Sequence, residues 1–282
     1  MRRLTAVLTG LLALTTAGVL APSTAGAVTG GTEDTANRYS NVGLLFFYDA
    51  TGRYRCSGTL ISPTVVLTAA HCTTGTLGQT IVTFDADVAR TADEAATTVP
   101  RADPAVGYTS APEGWYAGTA YTHPDYSDFT DMDNWNDVGV IVLDEPVEGI
   151  TPAEVAPVGY LEQFAQPALN GTTFTVVGYG TEVRKPVSGP RKPTPMSYPI
   201  VRRYTDVVGQ KLTPQILQVN GNEHDTRGGG GSCFGDSGGP TFKDGYVVTV
   251  TSYGYTANCR YLDGLQRVDI AVVQDWLETF LD

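Results

Sequence analysis

Short runs of β-branched and aromatic residues recur along this 282-residue chain, with turn residues between them. Several such runs in one chain predict a β-sandwich or a β-barrel. Helical spacing of apolar residues occurs only from residue 269 onward, which predicts a single terminal amphipathic helix. Residues 243–245, Lys-Asp-Gly, predict a hairpin turn between strands. The predicted strands cover residues 42–48, 58–61, 65–69, 80–84, 138–143, 173–177 and 246–253.

The first 27 residues have the pattern of a secretory signal peptide. Arg2 and Arg3 precede an apolar stretch at 4–21, and residues 25–27, Ala-Gly-Ala, form a small-residue cleavage site. The apolar stretch is just long enough to span a bilayer, so an uncleaved membrane anchor is the alternative. Threonines and glycines dilute the stretch, which favours removal of residues 1–27 and export of the remainder.

Acidic residues outnumber basic ones, 30 to 18, and give a net charge of −12 at pH 7. Loss of residues 1–27 removes two arginines and no acid, which brings the net charge to about −14. This charge argues against nucleic acid or an anionic membrane as a partner, because both repel an acidic protein. It is typical of a soluble protein outside the cell.

The chain has four cysteines, which predict two disulfides in an exported protein and allow three pairings. They are scattered and no C-x-x-C spacing occurs, so a zinc site is disfavoured. No cofactor and no metal site are predicted, although the acidic loops leave calcium binding open. The cysteines are Cys56, Cys72, Cys233 and Cys259.

A serine stands within the glycine-rich run 235–240, Gly-Asp-Ser-Gly-Gly-Pro. Little side-chain bulk blocks the hydroxyl of Ser237 there. Neighbouring glycines also let backbone N–H groups turn toward one point, where they can hold an oxyanion. A serine hydroxyl alone is a poor nucleophile, so this interpretation requires a base elsewhere in the chain.

The candidate base is His71, in the segment 68–72, Thr-Ala-Ala-His-Cys, and the candidate acid is Asp137, directly before an apolar run. The order histidine, aspartate, serine argues against an α/β-hydrolase, in which the acid and the histidine follow the serine. No histidine follows Ser237, and the alternation of strands and helices is absent from the pattern.

In these three motifs the chain resembles the chymotrypsin/trypsin family of serine endopeptidases. The resemblance covers nearly the whole chain after residue 27, and it implies an all-β fold of two six-stranded antiparallel β-barrels with a C-terminal α-helix. His71 and Asp137 would belong to the first barrel and Ser237 to the second, with the active site in the cleft between them. The implied bounds are about 28–150 for the first barrel, about 151–268 for the second and about 269–282 for the helix.

The resemblance also implies roles. Ser237 would attack a peptide carbonyl, His71 would move the proton and Asp137 would orient the imidazole. The N–H groups of Gly235 and Ser237 would form the oxyanion hole. The implied disulfides are Cys56–Cys72 and Cys233–Cys259.

An ion pair that forms after proteolytic cleavage is implied for Val28 and Asp236. Residues 28–31, Val-Thr-Gly-Gly, match the family's start of the mature chain, except for the threonine at the second position. Val28 directly follows the predicted signal cleavage site. We therefore expect signal removal itself to produce the α-ammonium that pairs with Asp236, without a propeptide.

The implied specificity pocket has Gly231 where trypsins carry an aspartate, which favours large apolar or aromatic side chains over basic ones. Asp263 is the complication, since it or the next residue would form the opposite wall and an inward carboxylate would admit basic side chains. Tyr253 takes the place of the family's usual tryptophan on the strand that pairs with substrate. The other predicted substrate-binding residues are Ser232, Ser252 and Gly254.

The sequence thus predicts a secreted, monomeric serine endopeptidase that acts on protein or peptide substrates. The alternatives are a catalytically silent binding module with the same fold, and a membrane-tethered form. The long segment 86–121 is expected to be a surface insertion, and the proline-rich segment 185–199 an exposed loop. His123 and His224 are expected at the surface and in a loop, respectively.

Overall fold

The structure, a computed structural model, describes residues 28–183, 196, 197, 199–222, 225 and 229–281. The predicted signal peptide, His224 and nearly all of the predicted proline-rich loop lie outside the described residues. Within the described ranges, no helix is both long enough and apolar enough to cross a membrane.

Strands dominate the chain, and the two α-helices in the described residues are short. The strands are β1 Thr32–Glu33, β2 Val42–Asp49, β3 Gly52–Ser62, β4 Val65–Thr68, β5 Leu77–Thr83, β6 Asp87–Ala89, β7 Tyr116–Thr122, β8 Gly139–Leu143, β9 Glu154–Val155, β10 Thr173–Gly178, β11 Glu182–Val183, β12 Met196–Ser197, β13 Ile200–Val201, β14 Arg203–Leu212, β15 Ile216–Asn220, β16 Pro240–Lys243, β17 Tyr246–Gly254 and β18 Leu262–Arg267. The helices are α1 Ala92–Thr98 and α2 Ala271–Glu278, and short 3-10 turns lie at Ala70–Cys72, Tyr160–Phe164 and Ala168–Gly171.

The first barrel closes in the strand order β2-β3-β4-β8-β7-β5. Successive side chains of a strand point to opposite faces, and β2 is buried on both. Leu45 and Phe47 pack in one apolar cluster, whereas Leu44 and Phe46 pack in another that includes Tyr179 of the second half of the chain. One face of β2 therefore fills the first barrel, and the other face packs against the second half of the chain.

The second barrel follows the order β14-β10-β16-β17-β18-β15 and closes where β15 pairs with β14. Asp244 and Gly245 have left-handed φ values of 51° and 92° between β16 and β17, which confirms the predicted hairpin turn. β1 adds to β14, so the start of the described chain lies on the second barrel although it precedes the first in sequence. The predicted fold of two six-stranded antiparallel barrels is confirmed.

Helix α2 confirms the predicted C-terminal helix over a shorter range. Val273 and Leu277 are buried in a cluster that also contains Leu67 and Val140 of the first barrel and Val250 of the second. The helix therefore packs across the junction of the barrels, where the active-site cleft is expected.

The prediction for residues 86–121 is wrong in part. Helix α1 is exposed, as expected for a surface insertion, and Thr91 and Glu94 form a capping box at its start. However, Val88, Val99 and Tyr108 are buried against the first barrel, and the segment ends in barrel strand β7. Its polar composition concealed the few apolar residues that anchor it.

The prediction for His123 is also wrong, since its side chain is 2% exposed. Its Nε2 lies 3.2 Å from the carbonyl oxygen of Val272, and its ring packs on Trp276 at 5.0 Å. Both partners belong to α2, so the residue that covers His123 comes from far along the sequence. Burial lowers the pKa of His123, which favours the neutral imidazole.

Candidate active site

His71 and Asp137 form a hydrogen-bonded couple at one end of the first barrel. His71 lies in the 3-10 turn that follows β4, and Asp137 lies two residues before β8. Strands β4 and β8 are paired so that Thr68 faces Gly139. His71 Nδ1 is 2.8 Å from Asp137 Oδ2, and the His71 backbone N–H donates to Asp137 Oδ1 at 2.9 Å. An ionised carboxylate only accepts hydrogen bonds, so Nδ1 carries the proton and Nε2 of the neutral imidazole is left as a base.

The second barrel holds Asp137 from the other side. Ser252 Oγ donates to Asp137 Oδ2 at 2.6 Å, and the backbone N–H of Asp137 donates to Gln266 Oε1 at 3.1 Å. Gln266 Nε2 in turn donates to Gln215 Oε1, which accepts the backbone N–H of Asn136. The acid is therefore fully buried but well supplied with hydrogen bonds. Neither glutamine was identified from the sequence.

Ser237 lies on a turn built by glycines in left-handed conformation, with φ of 99° at Gly235 and 74° at Gly238. A Cβ at Gly238 would overlap Thr68 Oγ1, so only glycine lets the turn approach the first barrel this closely. The carbonyl oxygen of Ser237 accepts the N–H of Ser57 at 2.8 Å. The second-barrel serine is thus attached to strand β3 of the first barrel.

The Cys56–Cys72 disulfide connects the surroundings of Ser237 with those of His71. Cys56 directly precedes Ser57, which binds Ser237, and Cys72 directly follows His71. Both predicted pairings, this one and Cys233–Cys259, are confirmed. In the described part of the chain, Ser237 Oγ and His71 Nε2 make no hydrogen bond to each other or to another residue. Such catalytic contacts are often long before substrate binds.

Within residues 235–239, two backbone N–H groups have no protein acceptor among the residues that the structure describes. Asp236 N donates to Cys233, Gly238 N to Thr251 and Gly239 N to Asp236, at 2.8–2.9 Å. The N–H groups of Gly235 and Ser237 make no such bond. Two N–H donors in this position are suited to binding an oxyanion.

Val28 and Asp236 are both buried on the second barrel. Val28 packs in its core, and Thr29 exchanges two backbone hydrogen bonds with Gly231, at 2.8 and 3.1 Å. The Asp236 carboxylate accepts the N–H groups of Gly180 and Cys233 at 2.7 and 2.8 Å. Burial nevertheless raises the pKa of Asp236 to about 6. Val28 is joined to Ala27 in this chain, so no α-ammonium is present to pair with it.

A cavity of about 360 Å³ opens beside Ser237. Four of the predicted substrate-binding residues line it, with Tyr253 at one side packed against Trp135 at 5.1 Å and Tyr255 at 5.5 Å. The lining residues are Ser232, Cys233, Phe234, Ser237, Thr251, Ser252, Tyr253, Gly254, Thr256, Ala257 and Cys259. Gly231 and Asp263 are not lining residues.

Asp263 is buried directly behind the cavity wall. Its Oδ2 accepts the N–H of Ser232 at 2.7 Å and would lie 2.8 Å from a Cβ at Gly231, while its Oδ1 would lie 3.6 Å from a Cβ at Gly254. Burial raises the pKa of Asp263 to about 7. The carboxyl group is therefore close to the pocket and titrates near neutral pH.

Cys56, His71 and Cys72 lie within 4.8 Å of one another, as metal ligands do. Both sulfur atoms are in a disulfide, so this group offers no thiolate and is not a metal site.

Comparison with known proteins gives the same architecture and a family. The family model described as Trypsin matches residues 28–277. The chain belongs to the trypsin family. It is 30% identical over 258 residues to Brachyurin from Leptuca pugilator, across 89% of this chain and 97% of that protein. It is 24% identical to Trypsin zeta from Drosophila melanogaster, across 81% and 75% of the two chains. Membership in the trypsin family supports a serine protease function and protein or peptide substrates.

Solved structures of the trypsin fold are similar to this chain at low identity. HL collagenase has a TM-score of 0.60 at 19% identity, across 88% of this chain and 96% of that one. Human heparin binding protein has a TM-score of 0.58 at 17% identity, across 89% and 95% of the two chains. An inactivated protease paralogue of the scabies mite has a TM-score of 0.58 at 16% identity, across 88% and 99%. These similarities establish the fold alone.

Proposed function

We propose that this protein is a serine endopeptidase that cuts peptide bonds through an acyl-enzyme. Ser237 Oγ attacks the carbonyl carbon while His71 Nε2 takes the hydroxyl proton, and the imidazolium then protonates the leaving amine. In the second half, water attacks the ester carbonyl while His71 Nε2 accepts its proton. The bond from the carbonyl carbon to Ser237 Oγ then breaks, the imidazolium returns the proton to Oγ, and the new carboxyl terminus leaves. The supporting observation is the His71–Asp137 couple, with Nε2 as its free base and the Ser237 turn attached next to it.

We assign the stabilisation of the negative charge on the transition-state oxyanion to the N–H groups of Gly235 and Ser237. Their freedom from protein acceptors, in the part of the chain that the structure describes, supports this role. Loss of one such donor typically raises the barrier by about 3 kcal/mol.

Activation is assigned to cleavage after Ala27, which frees the α-ammonium of Val28 for Asp236. The buried position of Val28, the pairing of Thr29 with Gly231 and the raised pKa of Asp236 support a site for a cation here. N-terminal sequencing of secreted, active enzyme tests this step. A first residue other than Val28 would contradict it. The same step implies a signal peptide and a secreted enzyme, which we further propose to be monomeric.

The substrate residue before the cut bond is proposed to be large and apolar or aromatic. The uncharged residues that line the 360 Å³ cavity support this preference. Asp263 lies behind the wall rather than in it, so it acts on the pocket through its charge. Basic side chains are then accepted to an extent that depends on the ionisation of Asp263.

The alternative is a catalytically silent binding module of the same fold. Loss of a triad residue would favour that function, and His71, Asp137 and Ser237 are all present. Similarity to an inactivated paralogue at 16% identity concerns the fold and does not carry inactivity over to this chain.

Labelling with a serine-directed phosphonate tests the proposal. The processed protein is expected to gain one phosphonyl group on Ser237 and to lose its peptidase activity. Ser237→Ala should remain unlabelled, whereas the matched variant Ser110→Ala, at an exposed position, should behave like the unchanged protein. Processed protein that takes up no label, or Ser237→Ala that still does, would contradict the enzyme function.

A further inference from the structure

Trp135 stands two residues before Asp137, and its side chain is 8% exposed. Its indole Nε1 lies 2.9 Å from Ser252 Oγ, the atom that also lies 2.6 Å from Asp137 Oδ2. A single hydroxyl therefore stands between the indole and the acid of the couple.

The directions of these two hydrogen bonds follow from the groups themselves. An indole N–H is a donor only, and an ionised carboxylate is an acceptor only. The oxygen of Ser252 must accept from Trp135, and its one proton must point to Asp137. We propose that Trp135 is a positioning residue, whose N–H fixes the Ser252 hydroxyl as a donor to Asp137 and so fixes the carboxylate that orients His71. This inference rests on the proposed peptidase function.

The backbone around Trp135 is arranged for this contact. Asn136 has a left-handed φ of 42°, a conformation that asparagine tolerates better than most residues. Its Nδ2 donates to the carbonyl oxygen of Asp125 at 3.1 Å, and its N–H donates to Gln215 Oε1 at 3.3 Å. Bonds on both sides thus hold the strained residue between Trp135 and Asp137, and with it the direction of both side chains.

Packing also holds the indole ring. It contacts Phe129 at 5.2 Å and Tyr253 at 5.1 Å between ring centroids, and Phe129 lies 5.7 Å from the imidazole of His71. A buried tryptophan in such surroundings stabilises the loop through its ring alone. The experiment must therefore remove the N–H and keep the ring.

A double-mutant cycle makes this separation. Trp135→Phe, Ser252→Ala and the double variant are compared with the unchanged processed enzyme on one peptide substrate. Trp135→Phe should lower kcat about tenfold with KM within about twofold, as expected for the loss of one buried hydrogen bond to a reacting system. In the Ser252→Ala background, the same substitution should change kcat by less than about twofold, because its partner is gone.

A second replacement guards against loss of folding. Benzothienylalanine at position 135 keeps the bicyclic ring and has sulfur in place of the N–H, and it should reproduce the loss in kcat. Trp115, which packs on Phe46, is the control, and Trp115→Phe should leave kcat unchanged.

Equal losses in both backgrounds, or a benzothienyl enzyme with unchanged kcat, would overturn the role of Trp135. If the processed enzyme without substitutions is inactive, the proposed function is overturned instead. The two failures are therefore distinguishable.

Discussion

Asp137, Asp236 and Asp263 are all buried, but their surroundings differ. Asp137 accepts hydrogen bonds from the backbone and the imidazole of His71 and from Ser252. Asp236 is bonded to backbone N–H groups, and burial raises its pKa to about 6. Asp263 accepts the N–H of Ser232, and its pKa is raised to about 7.

The three carboxyl groups differ in how far folding alone supplies their partners. The residues around Asp137 supply its partners directly, from both barrels, so the couple exists before any substrate binds. The other two carboxyl groups carry a cost of desolvation that their neighbours offset only in part, since their pKa values remain raised. We infer that an added cation offsets this cost further: the α-ammonium that cleavage would free on Val28 at Asp236, and a basic substrate side chain near Asp263.

The largest effect is expected at Asp137, whose hydrogen-bond partners are all present in the folded chain. Asp137→Asn should lower kcat by about 10⁴-fold, because the amide favours the wrong tautomer of the imidazole. Steady-state kinetics on the processed enzyme measure this. Asp144→Asn, at an exposed position just past β8, is the control and should be nearly silent. A loss below about tenfold in Asp137→Asn would show that the couple is not used.

Asp236 should give the next largest effect, and only after processing. If the proposed ion pair forms, Asp236→Asn leaves the ammonium of Val28 buried without its counter-charge. We then expect a loss of about 10²–10³-fold in activity or a comparable loss of folded enzyme. The measurement compares urea unfolding of Asp236→Asn and the unchanged protein, with and without residues 1–27. The unprocessed pair should differ less than the processed pair. Equal differences would mean that Val28 and Asp236 do not interact.

The motifs that carry His71, Asp137 and Ser237 were predictable because each is a short contiguous stretch with a chemical reason for its composition. The residues that hold these three side chains in place were not predictable. Trp135 and Ser252 are 117 residues apart, and Asp137 and Gln266 are 129 apart, with no local pattern that links them. The one available signal was a tryptophan within a segment rich in Asp and Asn before the acid.

Errors in the sequence predictions have the same cause. His123 reads as a surface residue in its polar segment, but a helix 149 residues later covers it. Residues 86–121 read as an insertion because Ala, Asp, Gly and Thr dilute the apolar anchors and strand β7. Strand alternation and turn chemistry are local and were predictable, whereas burial by a distant element is not encoded in the neighbouring residues.

Asp263 sets a smaller, pH-dependent effect. Below pH about 7 its carboxyl group is mostly neutral, and above that pH it is anionic. The preference for lysine over leucine before the cut bond, as a ratio of kcat/KM values, should therefore rise about tenfold between about pH 6 and 8. The Asp263→Asn enzyme, measured on the same two peptides, should show a flat ratio. A ratio that rises equally in both enzymes would assign the dependence to another group.

The smallest effect is expected where the second barrel holds the backbone of Asp137. Gln266→Leu removes the acceptor of the Asp137 N–H. The substitution should lower kcat by about threefold with KM unchanged, and it should lower the free energy of unfolding by about 1–2 kcal/mol. Stopped-flow kinetics and urea unfolding measure the two effects. Gln163→Leu, at an exposed position, should change neither. A wild-type kcat in Gln266→Leu would show that the contacts from His71 and Ser252 suffice to hold the acid.

The most direct test is a crystal structure of the processed enzyme after reaction with a peptidyl phosphonate. The account predicts a covalent bond from Ser237 Oγ to phosphorus and a phosphonyl oxygen within about 3 Å of the N–H groups of Gly235 and Ser237. It also predicts His71 Nε2 within hydrogen-bonding distance of the phosphonate, with the bond to Asp137 intact. Phosphorus on another residue, or an imidazole turned away from it, would contradict the proposed triad.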